Sequence, residues 1–314
     1  VAHLVKLEDY ISRYQFDLNR YLSQFTRMKK ERWYYVKSEW EQLQHDLAST
    51  EGGTEDTLED EKGRLFGMLQ KVRSWSTHSK NKLYEEIDES DQRVQQMTLE
   101  QVKEEFLHDL YHAQLRWASS SLLEESRLHP KYKHDDWLQF FAQQLPDNYF
   151  LLYKPVFSVK QAPIELDIVI ISPTEIFCIS MLEGEEHSVF EASSGRFWTE
   201  YVNESRTKRL SPLVSLSRMT GVIKPILEEA GHTFPIRNIV VSKNSIIDNK
   251  VQGARVEFVD RRAFANWHEK LKKHPSPIKS QQMKVTSLLL SHCHTNATKR
   301  DLNQVEEHFE GDLN

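Results

Sequence analysis

Glu165 and Asp167 are two carboxylates two positions apart in the stretch Pro163–Met181, PIELDIVIISPTEIFCISM. On an extended strand successive side chains alternate between faces, so both acids would share one face, opposite Leu166, Ile168 and Ile170. One or two such carboxylates are what a Mg²⁺ ion takes from a protein, with waters filling the rest of its octahedron. The elements that must hold them are two apolar, β-branched runs, Ile164–Ser172 and Ile176–Met181. They are separated by Ser172-Pro173-Thr174-Glu175, the pattern of adjacent antiparallel strands joined by a tight turn in which Pro173 presets φ.

A second chemical signal is the distribution of charge. The formal net charge of -6 hides 15 Lys+Arg against 28 Asp+Glu in residues 51–200, and 18 against 7 in residues 201–300. A basic stretch after an acidic one suits either an anionic partner or pairing between the two regions. Arg206, Lys208, Arg209, Arg218 and Lys224 fall in a stretch predicted as helix over Arg206–Ala230, on which Arg206, Arg209 and Lys224 share a face that could meet phosphates. Arg261 and Arg262 add to the basic run further on. The bland alternative is a solvated face.

Stepping along the chain, Leu7, Ile11, Tyr14, Leu18, Tyr21, Phe25 and Met28 alternate steps of four and three, and after a stutter Trp33, Val36, Trp40, Leu43 and Leu47 resume the seam. This predicts one long helix from about Leu4 to Leu47, packed lengthwise on a second helix. Residues 48–61 read as an acidic loop or linker, with helical patterns from Leu65 and from Leu83. Thr98 and Gln101 form a capping box before a helix through Val102, Phe106, Leu110 and Trp117, closed by His129-Pro130. Asp135 or Asp136 caps a short helix, and strand-like segments follow at Tyr149–Val159, His187–Glu191, Arg196–Tyr201, Ile236–Ser242 and Val256–Val259. Pro225 should kink or split the helix it falls in. Asp260 is read as the cap of a helix through Phe264, Trp267 and Leu271, and a last helical pattern surrounds Val285–Leu290.

Composition excludes much. No run of about 18 apolar residues spans a membrane and no secretory signal opens the sequence, and with Cys178 and Cys293 the only cysteines a reducing, cytoplasmic setting is expected. No serine-hydrolase elbow, phosphate-binding loop or dinucleotide fingerprint is present. His292-Cys293-His294 has the wrong spacing for a metal site, because adjacent helical side chains diverge by about 100°. Trp33, Trp40, Trp75 and Trp117 lie at apolar helical positions and are read as packing residues.

ELDIVIISPTEIFCIS, with NYFLLYKPVF before it and SPLVSLSRMTGVIKPIL after it, resembles the NERD (nuclease-related) domain of the PD-(D/E)xK nuclease-like superfamily, over roughly Asp135–Trp267. The family carries Gln-Ile-Asp-His on its first strand, Glu-x-Lys on its second and Asn-Pro-x-x-Gln on a later helix. Asp167 matches the family's Asp. Glu165 stands in the place of the Gln, Ile168 of the His, and Ser180-Met181-Leu182 of Glu-x-Lys, while Ser211–Ser215 keeps only Pro212. Together with the helical periodicity before it and the composition after it, the resemblance implies an α+β protein: an N-terminal helical hairpin or bundle over 1–130, a restriction-endonuclease-like α/β core over 131–273, and a basic linker, short helix and acidic tail over 274–314. With the basic stretch and the cysteine usage, it points to a bacterial, cytoplasmic protein with an eroded active site, acting by nucleic-acid binding through 201–300 or as a scaffold in DNA or RNA metabolism. Asp167 and Glu165 are then vestigial, Arg206, Lys208, Arg209, Arg261 and Arg262 are the phosphate contacts, and no metal or other cofactor is bound. Two alternatives stand beside this. In one, a Mg²⁺-dependent nuclease uses Asp167 with a migrated acid, Glu165 or Glu183, and Lys154 or Lys160 in place of the missing Lys; in the other, the N-terminal helices bind a protein partner or a second copy.

Overall fold

The structure, a computed structural model, describes residues 1–50, 97–160, 162–249 and 255–299. The linker and helical patterns expected within 51–96, Trp75 among them, and the tail beyond 299 lie outside the described residues. The chain divides into two compact units, residues 20–114 and residues 1–19 with 115–314.

The unit of residues 20–114 is built on α1 (Leu18–Thr50) and α2 (Leu99–Trp117). Tyr21, Leu22 and Phe25 are buried, as the seam requires, and the Trp33 ring sits 5.2 Å from Phe106. Arg32 pairs with Asp109 at 3.1 Å, and Trp40 Nε1 donates to the Met97 carbonyl. Thr98 and Gln101 cap each other reciprocally, as expected. The end of α2 differs from the expectation by twelve residues. Ser119 and Ser120 turn their hydroxyls onto the carbonyls of Leu115 and Arg116, and side chains that compete for backbone acceptors in this way end a helix without any proline.

The second unit is α+β, centred on a six-stranded sheet. In chain order its strands are β1 (His3–Leu7), β3 (Phe150–Tyr153), β6 (Ile168–Ile171), β7 (Ile176–Met181), β11 (Ile236–Val241) and β13 (Val256–Val259), and they lie side by side in that same order. All run parallel except β6, which is antiparallel to both its neighbours. β1 corrects the expected helix from Leu4: His3 to Leu7 are all buried, and a short continuous apolar run fits a buried strand as well as one turn of a heptad. Ser12 then opens a one-turn 3₁₀ helix, Arg13–Gln15, with a capping box of its own, before α1 begins at Leu18. The β6–β7 hairpin is as predicted, with Ser172 N–H donating to the Glu175 carbonyl across the turn. Ile168 to Ile171 are buried throughout, as a strand covered on both faces must be. Truncating Ile170 to Ala would cost about 2–5 kcal/mol.

Around this sheet lie α3 (Asp136–Gln144), capped by Asp135, and α4 (Pro212–Glu229), which packs on β7 and β11. α4 runs unbroken through Pro225. α5 (Phe264–Lys272) starts from Ala263, and Asp260, expected as its cap, instead accepts from the Arg262 and Ile247 amides. α6 (Ser280–Ser291) follows. A second sheet of four strands has the order β10 (Ser205–Leu210), β9 (Phe197–Val202), β8 (Val189–Ala192), β12 (Ile246–Asn249). Two ribbons complete the unit: β4 (Val156–Val159) with β5 (Ala162–Glu165), and β2 (Glu124–Glu125) with β14 (Thr298–Lys299). Gly184, on the way from β7 to β8, is required: a Cβ there would come within 2.5 Å of Ser188 Oγ and 2.6 Å of Phe190 Cε2. Among the described residues no helix is long and apolar enough to cross a membrane.

Candidate functional site

The pairing that places Asp167 is not the one read from the sequence. Glu165 ends β5, which pairs only with β4, and Leu166 and Asp167 form a break before β6 joins the main sheet. The alternation rule does not carry across such a break, so the shared face of Glu165 and Asp167 is lost. Glu165 is exposed, whereas Asp167 stands at the start of β6, beside the carboxyl ends of the parallel strands, where open α/β sheets bind ligands.

There Asp167 is engaged on both oxygens. The register Ile168↔Ile179 sets it across from Ser180, whose hydroxyl donates to Oδ2 at 2.7 Å. Arg218 Nη2, from α4, lies 3.6 Å from Oδ1 and also donates to Ser215 Oγ. Leu182, two residues beyond Ser180, is buried and apolar, and Glu183 is exposed on the following loop. The sequence singles out Asp167 but shows Arg218 only as one of a basic run; no local signal links an arginine to a carboxylate 51 positions earlier.

The same edge holds an acid that the sequence left inside a predicted helix. Glu8 follows β1 and Lys154 follows β3, and both adopt positive φ, 42° and 49°. Such left-handed non-glycine residues persist only where surrounding bonds hold them. Here Glu8 N–H donates to the Tyr153 carbonyl at 3.0 Å and Lys154 N–H to the Asp167 carbonyl at 2.7 Å. The Glu8 carboxylate accepts from the Tyr132 hydroxyl and from Lys131 Nζ at 3.1 Å. Among the described residues no three His, Cys, Asp or Glu side chains converge as a metal site would need. A hollow of 510 Å³ is lined by Leu213, Ser217, Gly221, Lys224 and Arg255 among others, and Asp167 is not part of its wall.

The basic residues divide. Arg206, Lys208 and Arg209 lie on β10 and not on a helix: the helix begins only at Pro212, with Ser211 as its cap. Arg209 Nε binds Glu200 Oε2 at 2.6 Å. Burial pushes the Glu200 carboxyl up, but the Arg209 hydrogen bond and the Glu185 amide outweigh it, so the group lies below the usual carboxylate range. Arg262 is likewise held by Asp260, Nε to Oδ2 at 2.9 Å, and Arg261 meets the His187 ring. Arg206 and Lys208 are exposed and make no ion pair among the described residues.

Residues 131–243 match the family model of the nuclease-related domain, NERD. This segment is a nuclease-related domain. It contains the β6–β7 hairpin, Asp167, Ser180 and Arg218, and extends through β11. A protein of Geobacillus stearothermophilus named RNA 2',3'-cyclic phosphodiesterase is 34% identical over 119 residues, which make up 36% of this chain and 36% of that protein. The chain thus spans little more than a third of the length of that relative. No solved structure matches the chain.

Proposed function

We propose that this chain is a nuclease-related-domain protein that has lost phosphodiester cleavage and acts by associating with nucleic acid, in a reducing, cytoplasmic setting. The observation that carries the loss of catalysis is the engagement of Asp167 by the Ser180 hydroxyl and the Arg218 guanidinium. A divalent cation that activates water needs carboxylate oxygens turned toward it and an open coordination position. At the second-strand positions Ser180 and Leu182 supply neither an acid nor an ammonium, and Arg218 already balances the charge of Asp167. The donor set therefore does not fit Mg²⁺. Nucleic-acid association is supported by Arg206 and Lys208, which are exposed on β10, with Arg261 further along the chain. Purified protein should give no Mg²⁺- or Mn²⁺-dependent cleavage of DNA or RNA above background, and its nucleic-acid affinity should fall steeply with salt, as counterion release requires. Metal-dependent nicking abolished by Asp167→Ala would defeat the first half of the proposal, and no binding at low salt the second.

The name of the Geobacillus relative favours a second reading, a phosphodiesterase acting on RNA. An RNA ending in a 2',3'-cyclic phosphate, opened by the protein but not by Asp167→Ala, would establish it.

A further inference from the structure

The outer face of the four-stranded sheet carries residues whose exposure the fold does not require. Along β9, side chains alternate: Trp198 and Glu200 point to the buried side with Phe190 of β8 and Ile247 of β12, while Phe197, Thr199 and Tyr201 point away. Phe197 is 52% exposed, Tyr201 39%, and Leu210, cross-strand from Phe197, 56%. The β10 residues opposite the other two outward positions are Arg206, facing Tyr201, and Lys208, facing Thr199. Arg196, just before β9, holds its guanidinium carbon 5.9 Å from the Phe197 ring centre. Two aromatic rings about 13 Å apart along one strand, flanked by cations on the next, therefore share one open face.

We infer that this face is a stacking platform for single-stranded nucleic acid, with Phe197 and Tyr201 receiving unpaired bases and Arg206, Lys208 and Arg196 holding the phosphates. It rests on the nucleic-acid reading above and narrows it to one surface and one class of ligand. A lysine on an edge strand is often no more than a guard against strand pairing. That explanation does not reach the rings, which a guarded edge would keep buried. A flat anionic chain with exposed bases uses both features at once: stacking on aromatic side chains is tolerant of sequence, and the charged groove follows the backbone. A duplex hides the faces of its bases and could use only the cations. The remaining charges on this face set the path of the strand. Glu191 and Asp248 lie on β8 and β12, the half of the sheet away from β10, so a polyanion is steered along β9 and β10. Glu191 also accepts a hydrogen bond from the Tyr201 hydroxyl at 2.9 Å, which anchors that ring in place before any ligand arrives.

The test uses the full chain and fluorescein-labelled oligouridylate and oligothymidylate of about 12 nucleotides, within the span of single-stranded sites, with a duplex of equal length as the comparison. Fluorescence anisotropy at low salt should give tighter binding to the single strands than to the duplex. Phe197→Ala with Tyr201→Ala should weaken single-strand binding at least tenfold and leave duplex binding unchanged, whereas Phe197→Tyr with Tyr201→Phe, which keeps both rings, should bind as the parent does. Arg206→Ala with Lys208→Ala should weaken both ligands and flatten the single-strand salt slope by about 1.4, at ~0.7 per phosphate. Single-strand binding indifferent to loss of both rings, or binding no tighter than to the duplex, would overturn the platform while leaving the nucleic-acid reading intact. No binding to any of the three probes at low salt would overturn both.

Discussion

At the carboxyl edge of the six-stranded sheet, each acid has a cation supplied by the chain itself: Lys131 stands 3.1 Å from Glu8 and Arg218 3.6 Å from Asp167. On the outer face of the four-stranded sheet the opposite holds, because Arg206 and Lys208 have no carboxylate partner among the described residues and lie beside exposed rings. The charge beside Asp167 is balanced within the molecule and the charges on β10 are left open, although both lie within the residues that match the nuclease-related domain. A charge that is neutralised internally has little interaction energy left to offer a ligand, while an unpartnered surface cation keeps nearly all of it. One strand displays both conditions. On β10, Arg209 turns inward to a carboxylate that is almost wholly buried, and Arg206, three residues earlier, turns outward.

Neighbouring arginines on that strand give the largest expected effect. Arg209→Ala leaves the Glu200 carboxylate buried without its guanidinium and should cost about 2 kcal/mol of stability, the penalty of an unsatisfied buried group. Arg206→Ala should stay within about 0.5 kcal/mol and act instead on the salt slope of nucleic-acid binding. Urea unfolding of the two variants measures the contrast, and equal losses would erase it. The sign of the pH dependence follows from the depressed Glu200 carboxyl. Its stabilisation is present above the unfolded pKa and is lost as pH falls through the lower folded value, so Arg209→Ala should narrow the gap in acid stability between pH 7 and the acid limb.

What could be read from the sequence, and what could not, follows the same division between local and distant causes. The β6–β7 hairpin was legible because turn chemistry at Ser172-Pro173 and the β-branched runs lie within one short stretch, and the same holds for the Asp135 and Thr98 caps. β10 was not, since SRTKRL has no strand signal of its own. It is a strand because β9 offers it a ladder from Val202 to Phe197. β1 was hidden by a coincidence of spacing, its buried run continuing in step with the true helical seam that begins at Leu18. At the site, Asp167 was visible as a residue type. Its partners were not: Ser180 is fixed by the hairpin register, Arg218 by how α4 lies on the sheet, and the supposed partnership with Glu165 fails because the strand breaks at Leu166.

Lys6 is the limiting case of the comparison, a cation neither paired with a carboxylate nor open to solvent. Its ammonium is buried and donates to the Tyr10 carbonyl at 2.6 Å, Thr295 Oγ1 at 3.1 Å and Gln15 Oε1 at 3.3 Å. Burial lowers its pKa from 10.5 to about 8. The unfolded chain then holds this proton over a range in which the folded chain has lost it, so stability rises with pH from about 8. Burial has the opposite consequence for the thiols of Cys178 and Cys293, pushed from 9.0 up to about 12, which oppose the gain over the same range. Between pH 8 and 9 Lys6 alone should contribute a gain of about 1 kcal/mol, most of it offset by the two thiols ionising in the unfolded chain, so the net change read from urea midpoints should be a small gain. Lys6→Met should lose stability over that interval, since only the thiols then titrate, and a rise in the variant equal to the parent's would assign the effect elsewhere.

The smallest expected effect lies at the residue that drew attention first. The Arg218–Asp167 pair is half exposed, with side-chain exposures of 50% and 32% and a separation of 3.6 Å, so Arg218→Ala should change stability by no more than about 0.5 kcal/mol. Freeing one oxygen of Asp167 does not make a metal site, because the neighbouring position is a serine hydroxyl and the next outward one is Leu182. Neither the parent nor Arg218→Ala should therefore gain thermal stability from millimolar Mn²⁺ or Mg²⁺, and neither should cleave nucleic acid with either ion. Asp167→Asn, which keeps an acceptor for Ser180, should leave binding of single-stranded oligonucleotides unchanged. If instead Mn²⁺ raised the melting temperature of Arg218→Ala and that rise vanished with Asp167→Asn, the guanidinium would be an occupant displaced from a working cation site. The balance of charge at this edge would then mark a masked enzyme rather than a finished loss.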